Sequence, residues 1–168
     1  MKKLIATALL GARLLAGTAQ AEQGGGLYIG ITGGVDKIDA EGVAVDDGNA
    51  VGIMLGMRFS SGLAAEVSAI KSDADITSPG SCEADYKTVG LYGAWRSSGD
   101  AYFKARVGLV HEDVDAPCLI SDTDTSLSLG AGAGIRFGNV AVEAEYTFID
   151  SLTEERVDRF GVNFLVNF

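Results

Sequence analysis

The sequence is poor in basic side chains, has one histidine and two cysteines, and beyond its first 21 residues contains no long apolar run. Each shortage closes a possibility. A membrane helix needs about 18 to 20 apolar residues, so any part of the mature chain that spans a bilayer has to do so with strands. The basic footprint of a nucleic-acid binder is missing. The glycine run Gly130 to Gly134 lacks G-x-G-x-x-G spacing and a following helix, which removes a dinucleotide site, and no acidic segment matches an EF-hand. No cofactor is expected.

The N-terminus has a different character. Lys2 and Lys3 precede an apolar stretch from Leu4 to Gly17, and Ala19-Gln20-Ala21 has the small-x-small form of a signal peptidase site. Arg13 interrupts the stretch, yet Leu4 to Ala12 is still within the ~7 to 15 residues that such a region needs. Residues 1–21 are therefore predicted to be a cleaved signal peptide and residues 22–168 a single domain. Loss of Lys2, Lys3 and Arg13 takes 13 basic residues to 10 against an unchanged 23 acidic ones, a net charge of −13. Cys82 and Cys118 then mature where thiols are oxidised. No Cys-x-x-Cys spacing accompanies them, so a disulfide is favoured over free thiols or a metal site.

From Leu27 onward apolar residues recur with period two, the mark of half-buried strands. Eight segments follow one another: Leu27 to Val35, Ala50 to Phe59, Leu63 to Ser72, Asp85 to Arg96, Ala101 to Val110, Ser126 to Phe137, Asn139 to Ile149 and Val157 to Phe168. Tight turn sequences (Ser60-Ser61-Gly62, Ser97 to Asp100, Gly138-Asn139) alternate with long acidic connections. All tight turns then fall at one end of an up-and-down sheet and all long loops at the other, as in an outer-membrane barrel.

A water-soluble barrel would also have period two, so the occupants of each face decide. One parity is apolar and free of charge, for example Val51, Ile53, Leu55 and Leu127, Leu129. The other holds glycines, small polar residues and the charges Arg58, Glu66, Lys104, Arg106, Arg136, Glu143 and Glu145. Glycine weakens a solvent-facing strand, whereas an eight-stranded barrel has room inside only for side chains. The apolar parity is therefore predicted to face lipid. Phe59, Trp95, Phe103, Phe137 and Phe168 all lie on it beside tight turns or at the terminus, where they form one aromatic girdle.

With these features the chain resembles the small outer-membrane β-barrel proteins, the group of OmpA-like, OmpX-like and opacity-type domains. The resemblance covers Leu27 to Phe168. It implies an all-β, eight-stranded antiparallel up-and-down transmembrane β-barrel in the Gram-negative outer membrane, in contact with lipid and lipopolysaccharide. It also implies that the terminal Phe168 is part of the signal read by the barrel assembly machinery. The family is functionally mixed, so an extracellular partner is implied without being identified.

Three groups invite chemistry. Arg58 is diagonal to Glu66, Arg136 is diagonal to Glu143, and Glu145 lies within reach of Arg106, which predicts a ladder of ion pairs plugging the lumen rather than lining a narrow pore. His111, followed by Glu112 and Asp113 and later by Ser121 and Ser126, has the residue types of a Ser-His-acid hydrolase. The lipid A deacylase barrels, however, have a serine two residues after their histidine, where this chain has Asp113. No catalytic residue is assigned. The loop acids, Asp36 and Glu112 among them, are expected to be solvated or to share divalent cations with lipopolysaccharide phosphates. The sequence thus predicts a structural or surface-interaction protein, with a lipid A-modifying enzyme or a small-solute pore as the rival functions.

Overall fold

The alternation that runs through the sequence becomes a ladder in which no barrel strand is left with an open side. A computed structural model describes residues 25–39, 44–45, 47–78, 82–115, 122–150 and 156–168. Eight long strands build the wall: β1 (Gly26–Asp39), β3 (Gly48–Arg58), β4 (Leu63–Ser78), β5 (Cys82–Arg96), β6 (Ala101–Asp115), β7 (Asp122–Phe137), β8 (Val140–Asp150) and β9 (Arg156–Asn167). Each pairs antiparallel with its neighbours in sequence, and β1 pairs with β9 to close the cylinder. Closure satisfies every strand's outward N–H and C=O, which hydrocarbon could not do. At the seam the Phe168 N–H donates to the Leu27 carbonyl at 2.8 Å. The strand pattern up to Phe168 thus seals the open side of the first strand.

The strands run further than the apolar pattern suggests. β4 and β7 have 16 residues and β5 and β6 have 15, whereas crossing the bilayer takes about 9 to 11. Segments read as loop at Asp73, His111 and Thr125 are paired backbone instead. Outward side chains turn polar there, but the ladder needs only a partner strand, not apolar side chains. A further two-residue strand, β2 (Ala44–Val45), adds to the outer end of β4 within the connection expected to be a simple loop.

The tight turns fall where expected. Gly62, Gly99 and Gly138 have φ of 82°, 105° and 59°, the left-handed region that favours glycine. The Gly62 N–H donates to the Phe59 carbonyl at 3.1 Å, and Phe59 donates to Leu63 at 2.7 Å.

Burial is inverted relative to a water-soluble domain. Glu66 and Glu143 are fully buried, while Ile31, Val51 and Leu91 are more than 60% exposed. Among the described residues, twenty-six large apolar side chains lie on the outside, far beyond what a soluble monomer leaves uncovered. The belt is bounded by Phe59, Trp95, Phe103, Phe137 and Phe168 at the tight-turn end, all pointing outward. At the other end the outward positions turn to Lys37, Lys71, Lys87, His111 and Asp150. Among the described residues no outward charge falls between these rims.

The inner glycines give space to inner tyrosines. A Cβ on Gly134 would come within 2.6 Å of Cζ of Tyr102, one on Gly108 within 2.6 Å of Cδ1 of Tyr92, and one on Gly56 would overlap the Tyr28 ring.

Candidate functional site: the charged lumen

The inward parity of β4, β5, β6 and β8 brings six charges together in the middle of the barrel. Arg96 donates through Nε and Nη2 to both oxygens of Glu143, at 2.6 and 3.2 Å, and through Nη2 to Glu66 at 2.7 Å. Its Nη1 reaches the Tyr28 hydroxyl at 3.0 Å, and that hydroxyl donates to Glu66 at 2.6 Å. Tyr102 donates to Glu143 at 2.7 Å. The Lys104 ammonium lies 3.2 Å from both Glu66 and Glu143 and 2.7 Å from Glu145. Arg106 Nε lies 2.6 Å from Glu145, and its Nη2 donates to Thr147 at 2.9 Å.

These side chains are at most 3% exposed. Three carboxylates face three cations, so the cluster is neutral. Neutrality matters because a buried charge left without a partner is far costlier than a paired one. Beyond the cluster, the cavity flanked by Met54, Ile70, Arg106, Thr147 and Arg159 measures about 10 Å³, at or below the ~10 to 15 Å³ needed to hold a water molecule. At that level the described side chains leave no room for a water-filled path.

Only part of this network was legible. The Arg106–Glu145 pair forms as predicted, but Arg58 and Arg136 do not pair with Glu66 and Glu143. Diagonal register places them near enough, yet Arg96 reaches Glu66 from the adjacent β5 and Glu143 over the interior, and Lys104 of β6 reaches both, so the same carboxylates are occupied. Arg58 and Arg136 stack instead over Tyr28 and Tyr102, at 5.6 and 5.1 Å from the ring centres. Sequence reasoning missed Arg96 as an interior residue. The signal was present, since it continues the inward parity of Tyr92 and Ala94 to the end of β5.

Two expectations for the outer end also change. Asp36 is not a solvated loop acid: it is fully buried, and Arg159 grips it through Nε and Nη2 at 2.6 and 2.7 Å. Glu112 likewise points inward and accepts a hydrogen bond from Ser126 at 3.2 Å. His111 points outward, with Nδ1 3.2 Å from the Thr125 hydroxyl. The barrel wall therefore separates His111 from Glu112 and Ser126, and these three cannot assemble a hydrolase site. Ser121 and Cys118, the Cys82 side chain and residues 1–21 lie outside the described residues.

A closed antiparallel wall with oil outside and a neutral ion cluster inside is the architecture of a bilayer-spanning barrel. The family model described as "Outer membrane protein beta-barrel domain" matches residues 5–168. The chain belongs to the outer-membrane β-barrel domain family. Membership places this barrel in the Gram-negative outer membrane.

Solved structures agree on the fold of this outer-membrane barrel. Neisserial surface protein A superposes with a TM-score of 0.66 at 18% identity, covering 88% of this chain and 100% of that one. The N-terminal barrel domain of Pseudomonas aeruginosa OprF gives 0.60 at 14% identity, covering 86% and 99%. Ail, the attachment invasion locus protein of Yersinia pestis, gives 0.60 at 18% identity, covering 88% and 100%. No curated protein sequence matches the chain.

Proposed function

We propose that this outer-membrane barrel is a surface-interaction and envelope-stabilising protein rather than an enzyme or an open pore. The observation that carries the proposal is the filled, neutral centre of the lumen. A channel needs a wet path, and eight-stranded barrels are filled where 16-stranded ones leave an aqueous channel. Function then belongs to the outer end.

That end has a definite electrostatic character. Lys71 lies 2.9 Å from Asp73 and 2.8 Å from Asp85 on the outward face, just beyond the apolar belt. Around the same rim stand Lys37, Lys87, His111, Asp113 and Asp150. Lysines at this height suit lipopolysaccharide phosphates directly, and the acidic groups suit them through shared divalent cations. Ail has been solved with the heparin analogue sucrose octasulfate. A mature chain with 23 acidic residues against 10 basic ones repels such a polyanion, so its extracellular partner is cationic or cation-bridged.

Three further parts of the proposal concern maturation. The signal peptide is removed after Ala21, and a Cys82–Cys118 disulfide ties together the outer ends of neighbouring hairpins. The exposed Phe168 ring, fixed by its backbone to Leu27, is presented to the barrel assembly machinery.

Strains carrying the full chain, or a chain with its four outer connections shortened, test the role. Loss of adhesion, or of resistance to detergent and chelator, in the shortened strain is expected. Equal behaviour of the two strains, or a stable large conductance from the purified barrel in planar bilayers, defeats it.

A further inference from the structure

The charge balance of the lumen has a remainder. Glu66, Glu143 and Glu145 are matched by Arg96, Lys104 and Arg106. Arg58 and Arg136 have no acidic partner within 4 Å among the described residues, and Nε of each is both shielded from solvent and without a hydrogen bond. Their faces are spoken for by Tyr28 and Tyr102, whose hydroxyls point away to Glu66 and Glu143. The two surplus charges are thus held on the tight-turn side of the tyrosines.

They are held in a cavity. Arg58, Arg96 and Arg136 line one opening of about 390 Å³ at the tight-turn mouth, together with the turns Ser60-Ser61 and Ser97-Ser98. Arg96 brings its charge already neutralised, so the opening carries a net excess of two positive charges. The hydroxyls are donors in reserve: Ser97 Oγ accepts the Phe103 N–H at 2.9 Å, which leaves its O–H to be given elsewhere. Asp100 contributes its backbone carbonyl to the Arg136 N–H at 2.7 Å, and its carboxylate stays out of ion-pair range of both arginines. Guanidinium forks flanked by serine hydroxyls match the oxygens of a phosphate group.

We propose that the tight-turn mouth of the barrel, which opens to the periplasm, is a phosphate-binding site built on Arg58 and Arg136. The shared ligand chemistry is a phosphate group, supplied either as free phosphate or as the diester headgroup of a phospholipid in the inner leaflet. This is independent of any role for the outer loops, because it uses the opposite end of the molecule.

The protein, extracted from outer membranes and exchanged into a maltoside detergent that carries no phosphate, is titrated with inorganic phosphate and, separately, with glycerophosphoglycerol. Phosphorus NMR line broadening reads binding, with chloride holding ionic strength constant. Saturable binding of at least one ligand is expected, weakened at least about tenfold by Arg58→Gln or Arg136→Gln, the scale of one lost charge-assisted hydrogen bond. Asn49→Ala, at the other end of β3, leaves it unchanged. Tighter binding of the monoester assigns free phosphate; tighter binding of the diester assigns the lipid headgroup. Gel mobility before and after heating checks folding. Should a glutamine variant fail to fold, Arg58→Lys with Arg136→Lys keeps the charge and is expected to bind with intermediate affinity. Failure of both ligands to saturate, or glutamine or lysine variants that bind as the parent does, overturns the proposal.

Discussion

Arg96 and Glu143 are 47 positions apart in the chain and meet side by side in the lumen, two guanidinium nitrogens against two carboxylate oxygens at 2.6 and 3.2 Å. β5 and β8 are not neighbours in the sheet. The pair therefore ties opposite parts of the wall through the interior, and it does so where water is excluded.

Removing one member leaves the buried cluster with one charge uncompensated. Glu143→Ala is expected to cost about 3 to 5 kcal/mol, seen as a lower urea midpoint for loss of the heat-modifiable gel band. Replacing both partners with apolar residues of similar volume, Arg96→Met with Glu143→Leu, is expected to recover part of that loss. A single variant as stable as the parent contradicts the described network.

The inner glycines are spaces for tyrosine rings. Gly134→Ala, with Tyr102 2.6 Å from the new Cβ, is expected to destabilise by about 1 to 3 kcal/mol through overpacking. Gly33→Ala is the matched control, because a Cβ there meets nothing within 4 Å. Its effect is expected to stay within about 0.5 kcal/mol. Equal losses at the two sites remove the argument from shape.

Depth in the bilayer is tested from outside. Leu91, 62% exposed in the middle of the belt, is expected to cost about 2 to 4 kcal/mol when changed to arginine, against about 0 to 1 kcal/mol near an interface. Thr125→Arg supplies the interfacial case. Lipid-vesicle unfolding titrations measure both, and a tolerated Leu91→Arg rules out a lipid-facing belt.

Phe168 separates assembly from stability. Its ring is 79% exposed, so Phe168→Ala is expected to change the unfolding midpoint of the purified barrel by about 0.5 kcal/mol or less. The amount of assembled barrel in cells is nevertheless expected to fall severalfold. Unchanged levels in the outer membrane count against a role in assembly.

The wall of this protein is written locally. Period two, the turn glycines and the unbroken apolar parity each follow from side chains alternating across a strand. Eight segments and their inner and outer faces could thus be read residue by residue, from Leu27 to Phe168. Strand ends were harder. Beyond Val110 or Ser72 the outward side chains become polar, and polarity looks the same in a solvated strand as in a loop.

What only the tertiary structure decided is who pairs with whom across the lumen. Arg106 stood within reach of Glu145 with β7 between them, whereas neighbour register proposed Arg58 for Glu66 and Arg136 for Glu143, which Arg96 and Lys104 took instead. Parity tells which way a charge points and nothing about how far it reaches over a closed interior. Charge pairing there is a competition settled by distance in three dimensions, and that competition left two arginines at the mouth with their charge unspent.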